Sequence, residues 1–165
     1  MFSVIVYIDT DSASACLRQA AQTLASLVPL AVEGLVRDVA LVCVQPREGL
    51  RRLSEESGAD LFEMAQPAIL AMKADNGLIL QAGPGLDHGL AEEICTFLLG
   101  ADGHRGAVLH TAGRNALISW LRPKTGGVVA PKSELLRAGS VQPEKIKRHL
   151  AAPLVLKGKL SSPPF

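Results

Sequence analysis

Apolar residues along this chain fall into short continuous runs that alternate with stripes of helical period. Residues 2–8 (FSVIVYI) form a β-rich run closed by Asp9-Thr10-Asp11-Ser12, which predicts a buried strand leading into a capped helix. In that helix Cys16, Leu17, Ala20, Ala21, Leu24, Leu27 and Val28 recur at spacings of three and four, giving one apolar stripe, and Pro29 is expected to end it. A second buried strand is predicted over 39–44, then a helix over 48–57 with Leu50 and Leu53 inward and Gly58 as its C-terminal glycine. Leu61 and Phe62 make a third, brief strand. The pattern continues with a helix-like stretch over 67–73, a strand over 77–81, and a helix capped by Asp87 that runs through Ile94 and Phe97 to Gly100. Further strands are predicted over 107–110, 127–130 and 154–156, with a basic helix over 143–150 and a Pro-rich tail over 161–165. Strands alternating with helices through short connections define an α/β, three-layer fold with a mainly parallel sheet.

Composition narrows this picture. A chain of 165 residues supports one core, so residues 1–165 are read as a single domain. With 48% hydrophobic and only 4% aromatic residues, that core is built from Ala, Leu and Val. No apolar run approaches the roughly 20 residues of a membrane span. The N-terminus lacks a basic leader and meets Asp9 and Asp11 early, so no signal peptide is expected and a cytoplasmic location is. Cys16, Cys43 and Cys95 are widely spaced in apolar sequence, which fits buried free thiols rather than a disulfide framework or zinc site.

Charge is unevenly distributed. Residues 1–119 carry 8 Lys/Arg against 14 Asp/Glu, whereas residues 120–165 carry 9 against 2. The basic part either meets an anionic partner (a diphosphate, a lipid headgroup as a peripheral membrane contact, or nucleic acid) or docks on the acidic body. Scarce aromatics argue against nucleic-acid stacking surfaces.

Dispersed chemistry offers little else. Gly83-Pro84-Gly85 lacks dinucleotide-fingerprint spacing, no phosphate-cradling G-x-x-x-x-G-K-S/T run exists, and His88, His104, His110 and His149 are scattered. Trp120 reads as an anchor or core filler. Asp9, Thr10 and Asp11 stand at a strand mouth, where open α/β sheets bind ligands, but Asp and Thr before a helix also serve as caps.

Three segments carry a family resemblance: FSVIVYIDTDSASACLRQAAQTLASLVPLAVEGLVRDVALV, the Gly58-Ala59 turn, and NGLILQAGPGLDHGLAEEICTFL. Together they resemble a small bacterial branch of family 2 glycosyltransferases, which have the GT-A fold of nucleotide-diphospho-sugar transferases. The likeness runs over residues 2–98, a nucleotide-binding half, and resumes near GGVVAPKS in a reduced acceptor-side half spanning 106–160. It implies a nucleotide-diphosphate sugar as ligand, with Asp9, Thr10 and Asp11 on the nucleotide. Cys43 stands where the family has its base-reading aspartate, and Glu48 where it has the second acid of that loop.

The resemblance also marks what has changed. The family ends its fourth strand in D-x-D or H-A-D, carboxylates that hold Mg²⁺ or Mn²⁺, and here Gln81, Ala82 and Gly83 stand instead. No metal cofactor is therefore expected. Lys124, Lys132 and Lys145 are the candidates to neutralise the diphosphate, and Glu144 is the one acid available as general base. Two readings follow: a metal-independent or impaired glycosyltransferase, or a non-catalytic GT-A module (a pseudoenzyme) that binds a protein partner, a second copy of itself, or a nucleotide.

Overall fold

Buried aliphatic runs become strands where both faces are covered, and amphipathic stripes become the helices that cover them. The computed structural model describes residues 1–9, 13–111 and 125–161. Its strands are β1 (Phe2–Tyr7), β2 (Val36–Val42), β3 (Asp60–Phe62), β4 (Asn76–Gln81), β5 (Ala107–Thr111), β6 (Thr125–Pro131) and β7 (Leu154–Leu160). They form one sheet in the order β3-β2-β1-β4-β6-β5-β7, parallel throughout except for β6, which runs against both neighbours.

Helices sandwich this sheet. On one face α1 (Ala13–Val32), α2 (Glu48–Ser57) and α4 (His88–Leu99) bury Leu24, Leu27, Leu30, Leu50, Leu90 and Ile94 against Val4, Val6, Leu41, Leu78 and Leu80. On the other, α3 (Ala65–Ala71), α5 (Lys132–Ala138) and α6 (Pro143–His149) bury Ile69, Leu135 and Ile146 against Ile5, Val42, Ile79 and Val128. Alternation along β1 explains the split, since successive side chains point to opposite faces. No described helix is long and apolar enough to cross a membrane.

Several sequence expectations shift. Pro29 does not end α1: its ring lies on the exposed side, its carbonyl accepts from the Glu33 amide at 3.0 Å, and the helix continues to Val32. Termination falls instead to Gly34 (φ 75°), where Leu35 N–H bonds Leu30 O at 2.9 Å and Gly34 N–H bonds Ala31 O at 3.1 Å. This is the paired closure that a left-handed residue permits. The loss of one hydrogen bond at Pro29 is offset by burial of Leu27 and Leu30 on the inner side. β2 is shifted to Val36–Val42, α3 to Ala65–Ala71, and β7 extends to Leu160 rather than stopping at 156. The helix at Lys132–Ala138 follows directly on β6 and was hidden by the short segment that carries it. Trp120 and residues 162–165 lie outside the described residues.

Candidate functional site at the carboxyl edge of the sheet

In an open α/β sheet the ligand edge is the one where parallel strands end, because loops diverge there and backbone groups are left to bind. Here the ends of β1, β2 and β4 are tied side by side: Ile8 N–H bonds Val42 O at 2.9 Å, and Ala82 N–H bonds Tyr7 O at 2.8 Å. Cys43 follows β2 directly, its amide bonded to Phe62 O at 3.0 Å. Asp9 follows β1, and its carbonyl accepts from the Cys16 thiol in the first turns of α1 at 2.7 Å. Asp9 and Cys43 are thus at one edge, as the resemblance implies. Glu48 opens α2 on the same side, exposed. Thr10, Asp11 and Lys124 lie outside the described residues.

Because β6 is antiparallel, its first residue, Thr125, also reaches this edge. The start of α6 packs over it. The Thr125 amide donates to Glu144 Oε1 at 3.1 Å, Lys147 Nζ lies 3.5 Å from Thr125 Oγ1, and Gln142 Nε2 donates to the Tyr7 hydroxyl at 2.9 Å. Glu144 feels opposing influences. Partial burial works to raise its pKa, but the Thr125 hydroxyl and amide, with Lys147 and Arg148, outweigh it and hold the carboxyl below its ordinary range.

The two described lysine candidates separate. Lys145 is on α6, three residues from Gln142 and so on the flank that meets Tyr7 of β1. Lys132 lies at the opposite edge, since β6 runs backwards, and its ammonium is spent on the carbonyls of Leu70 and Met72, each at 2.8 Å. It is set apart from Lys145. Lys147, Thr125, Tyr7 and His110 belong to the edge and were missed from sequence. Thr125, and Lys147 through it, follow only from the register of the antiparallel β6, whereas Tyr7 and His110 stand at the ends of the parallel strands β1 and β5.

The end of β4 is closed. Thr23 of α1, fully buried, accepts from Gly83 N–H at 2.9 Å and donates to Pro84 O at 3.1 Å, while Ser26 accepts from Leu86 N–H at 3.1 Å. Gly85 exchanges two backbone bonds with Ser161, at 3.0 and 3.1 Å. The loop's amides are therefore satisfied internally. Gln81, Ala82 and Gly83 supply no carboxylate, so a divalent cation that relies on charged oxygens does not fit here. Among the described residues no group of three or more His, Cys, Asp or Glu is arranged to hold a metal.

Cys43 gives the edge a titratable reporter. Burial pushes its thiol above the ordinary value of 9.0, with Cys16 and Glu63 adding to the rise and the Gln45 backbone opposing it. Above that ordinary value the unfolded chain loses this proton while the folded chain keeps it, so the unfolded state is favoured as pH rises. Urea midpoints measured from about pH 8 to about pH 10 should fall more steeply for the wild type than for Cys43→Ala. Parallel alkaline limbs would show that Cys43 is not desolvated.

Two cavities formed by described residues, of about 370 and 360 Å³, lie elsewhere. One joins His104, Arg105 and Arg137 at the opposite edge, and the other is an apolar groove between α1 and α2.

Taken together, the strand order, the reversed β6 and the two helical layers define a nucleotide-diphospho-sugar transferase fold of the GT-A type. Glucosyl-3-phosphoglycerate synthase from Mycobacterium tuberculosis, in its complex with Mn²⁺ and UDP-glucose, superposes with a TM-score of 0.67 at 16% identity, covering 98% of this chain and 70% of that one. Mannosyl-3-phosphoglycerate synthase from Rubrobacter xylanophilus gives 0.62 at 14% identity, covering 99% and 68%. A 4-diphosphocytidyl-2C-methyl-D-erythritol synthase gives 0.58 at 11%, covering 96% and 89%. At these identities the likeness is one of fold. No family model matches the sequence, and no curated protein matches it.

Proposed function

We propose that this chain binds the nucleotide diphosphate of a nucleotide sugar at the carboxyl edge of its sheet without a divalent metal, as a glycosyltransferase-like protein of impaired or metal-independent activity. The observation that carries this reading is the contrast between strand ends of β1, β2 and β4 that open side by side at one edge and a β4 terminus whose Gly83 amide is locked on Thr23 and whose side chains include no acid. A solved neighbour of the same fold was captured with UDP-glucose and Mn²⁺, which supports the ligand class. In this reading Asp9, with Thr10 and Asp11, and Cys43 and Glu48 meet the nucleoside. Lys145, on the flank facing β1, and Lys124 take the diphosphate charge, and this supersedes a role for Lys132.

Glu144 favours weak chemistry. A general base works best with a pKa near the operating pH, and a carboxylate already engaged by Thr125 and held low is a poor proton acceptor. The same observation supports the second reading, a non-catalytic module that keeps the nucleotide site. Thermal shifts with UDP, GDP and dTDP, each with and without Mn²⁺, test the binding. Ligand at a hundred times its Kd stabilises the native state by about 2.7 kcal/mol, so at least one nucleotide should raise the melting temperature, equally with and without Mn²⁺. No shift with any nucleotide, or a shift that requires Mn²⁺, would overturn the proposal. Sugar transfer that is lost in Glu144→Gln at an unchanged melting temperature would decide for the transferase.

A further inference from the structure

Three adjacent strands line up a row of polar side chains beside the nucleotide edge. Lys159 of β7 pairs in register with His110 of β5, and His110 with Thr125 of β6. Strands lie roughly 4.8 Å apart, so the row spans about 10 Å.

All three side chains share one face. On β7, Leu156 and Leu160 pack toward α4 and a Cβ at Gly158 would meet Leu90 of α4, so Lys159 points to the other side. On β5, Leu109 belongs to the α4 side, so His110 faces away from it. Thr125 meets Lys147 of α6, which is on that same other side.

We infer that Lys147 and Lys159, with His110 and Thr125 between them, form a binding site for a phosphate-class oxyanion, distinct from the nucleotide. His110 Nδ1 is buried and has no hydrogen-bond partner, the one such side-chain atom among the described residues. A buried polar atom without a partner is costly, and a ligand oxygen would remove that cost. Neither lysine is in an ion pair among the described residues. Glu144 is the nearby opposing charge: the Thr125 hydroxyl and amide occupy its carboxylate, and Lys147 and Arg148 share its charge, so one carboxylate stands against these two cations and Lys159. Two ammonium groups and an imidazole N–H supply donors that a tetrahedral oxyanion accepts, while the Thr125 hydroxyl stays on Glu144 and orients Lys147.

The inference requires only this geometry and survives failure of the nucleotide reading. Inorganic phosphate is titrated, at constant ionic strength, into protein carrying ¹⁵N-labelled histidine, and the ring nitrogens of His110 are followed. A saturable shift is expected. Loss of one charged donor costs about 1.4 kcal/mol, so Lys147→Gln and Lys159→Gln should each weaken binding about tenfold. Lys73→Gln, at an exposed position before β4 on the opposite edge of the sheet, should leave it unchanged. Methyl phosphate binding more tightly than inorganic phosphate would assign the site to a phosphate carried by an organic molecule, and equal binding to the free ion. An unresponsive His110, or equal weakening by Lys73→Gln, would overturn the site.

Discussion

Replacing Glu93 by Ala is expected to destabilise the protein by about 3 kcal/mol and to fray β7 from the sheet. Between the register pairs Val108–Val155 and His110–Lys159, β5 uses one residue and β7 uses three. The extra residues leave amides of β7 with no strand partner. Glu93 of α4 takes two of them, Oε1 from Lys157 N–H and Oε2 from Gly158 N–H, each at 2.8 Å. Charge-assisted bonds of this length are the strong ones, and losing both strands two donors at a sheet edge. Glu92→Ala is the control. Its carboxylate is exposed and reaches only His88 Nε2 at 3.3 Å, so its loss should stay within about 0.5 kcal/mol. Urea midpoints and hydrogen exchange at the Lys157 and Gly158 amides measure both effects. If the two variants unfold alike, the carboxylate clamp is not what holds β7.

The clamp also shows what local pattern conveys and what it does not. The strands over β1 and β4 and the helices capped by Asp87 and closed by Gly58 were legible because each is a self-contained signal. Asp87 Oδ1 accepts from Leu90 N–H at 2.8 Å, and Gly58 adopts a left-handed conformation. The bulge in β7 is a relation between strands distant in sequence, so its reach to Leu160 was invisible to a period-two reading of 154–156. Pro29 misled for a related reason. A proline ends a helix only when nothing outweighs the missing bond, and the burial of Leu30 depends on tertiary packing.

The site was legible in outline only. Asp9 and Cys43 lie at one edge because a strand–helix–strand crossover brings neighbouring strand ends together, which sequence order alone implies. The cations were harder. Lys132 and Lys145 stand out by their charge and their place in the basic segment, yet the reversal of β6 sends Lys132 to the far edge. Two residues of helix rotation, about 200°, separate the flank of Lys145 from that of Lys147. Charge is read from sequence, whereas direction is set by topology.

Thr23→Val is expected to cost about 2–3 kcal/mol although it conserves side-chain shape. The replacement removes one hydroxyl that serves two backbone groups, the Gly83 amide and the Pro84 carbonyl. Thr23 is fully buried, so water does not readily replace the lost partner. The unpaired groups therefore bear most of their desolvation cost. Ser26→Ala should cost less, about 1 kcal/mol, because at a half-buried position it releases the Leu86 amide and the Thr23 carbonyl, the latter a group inside α1. Combined, the two changes should fall short of additive, since both free the same loop and the second acts on a segment already loosened. Denaturant unfolding of the two single variants and the double variant gives the coupling directly. The loop's own behaviour supplies the sharper readout: the Gly83 and Leu86 amides should exchange much faster in Thr23→Val while the amides of Ile5 and Ile79 stay protected. A variant whose stability and Gly83 exchange both match the wild type would mean that the β4 terminus is held by something other than α1, and the argument that its amides are unavailable to a ligand would fail with it.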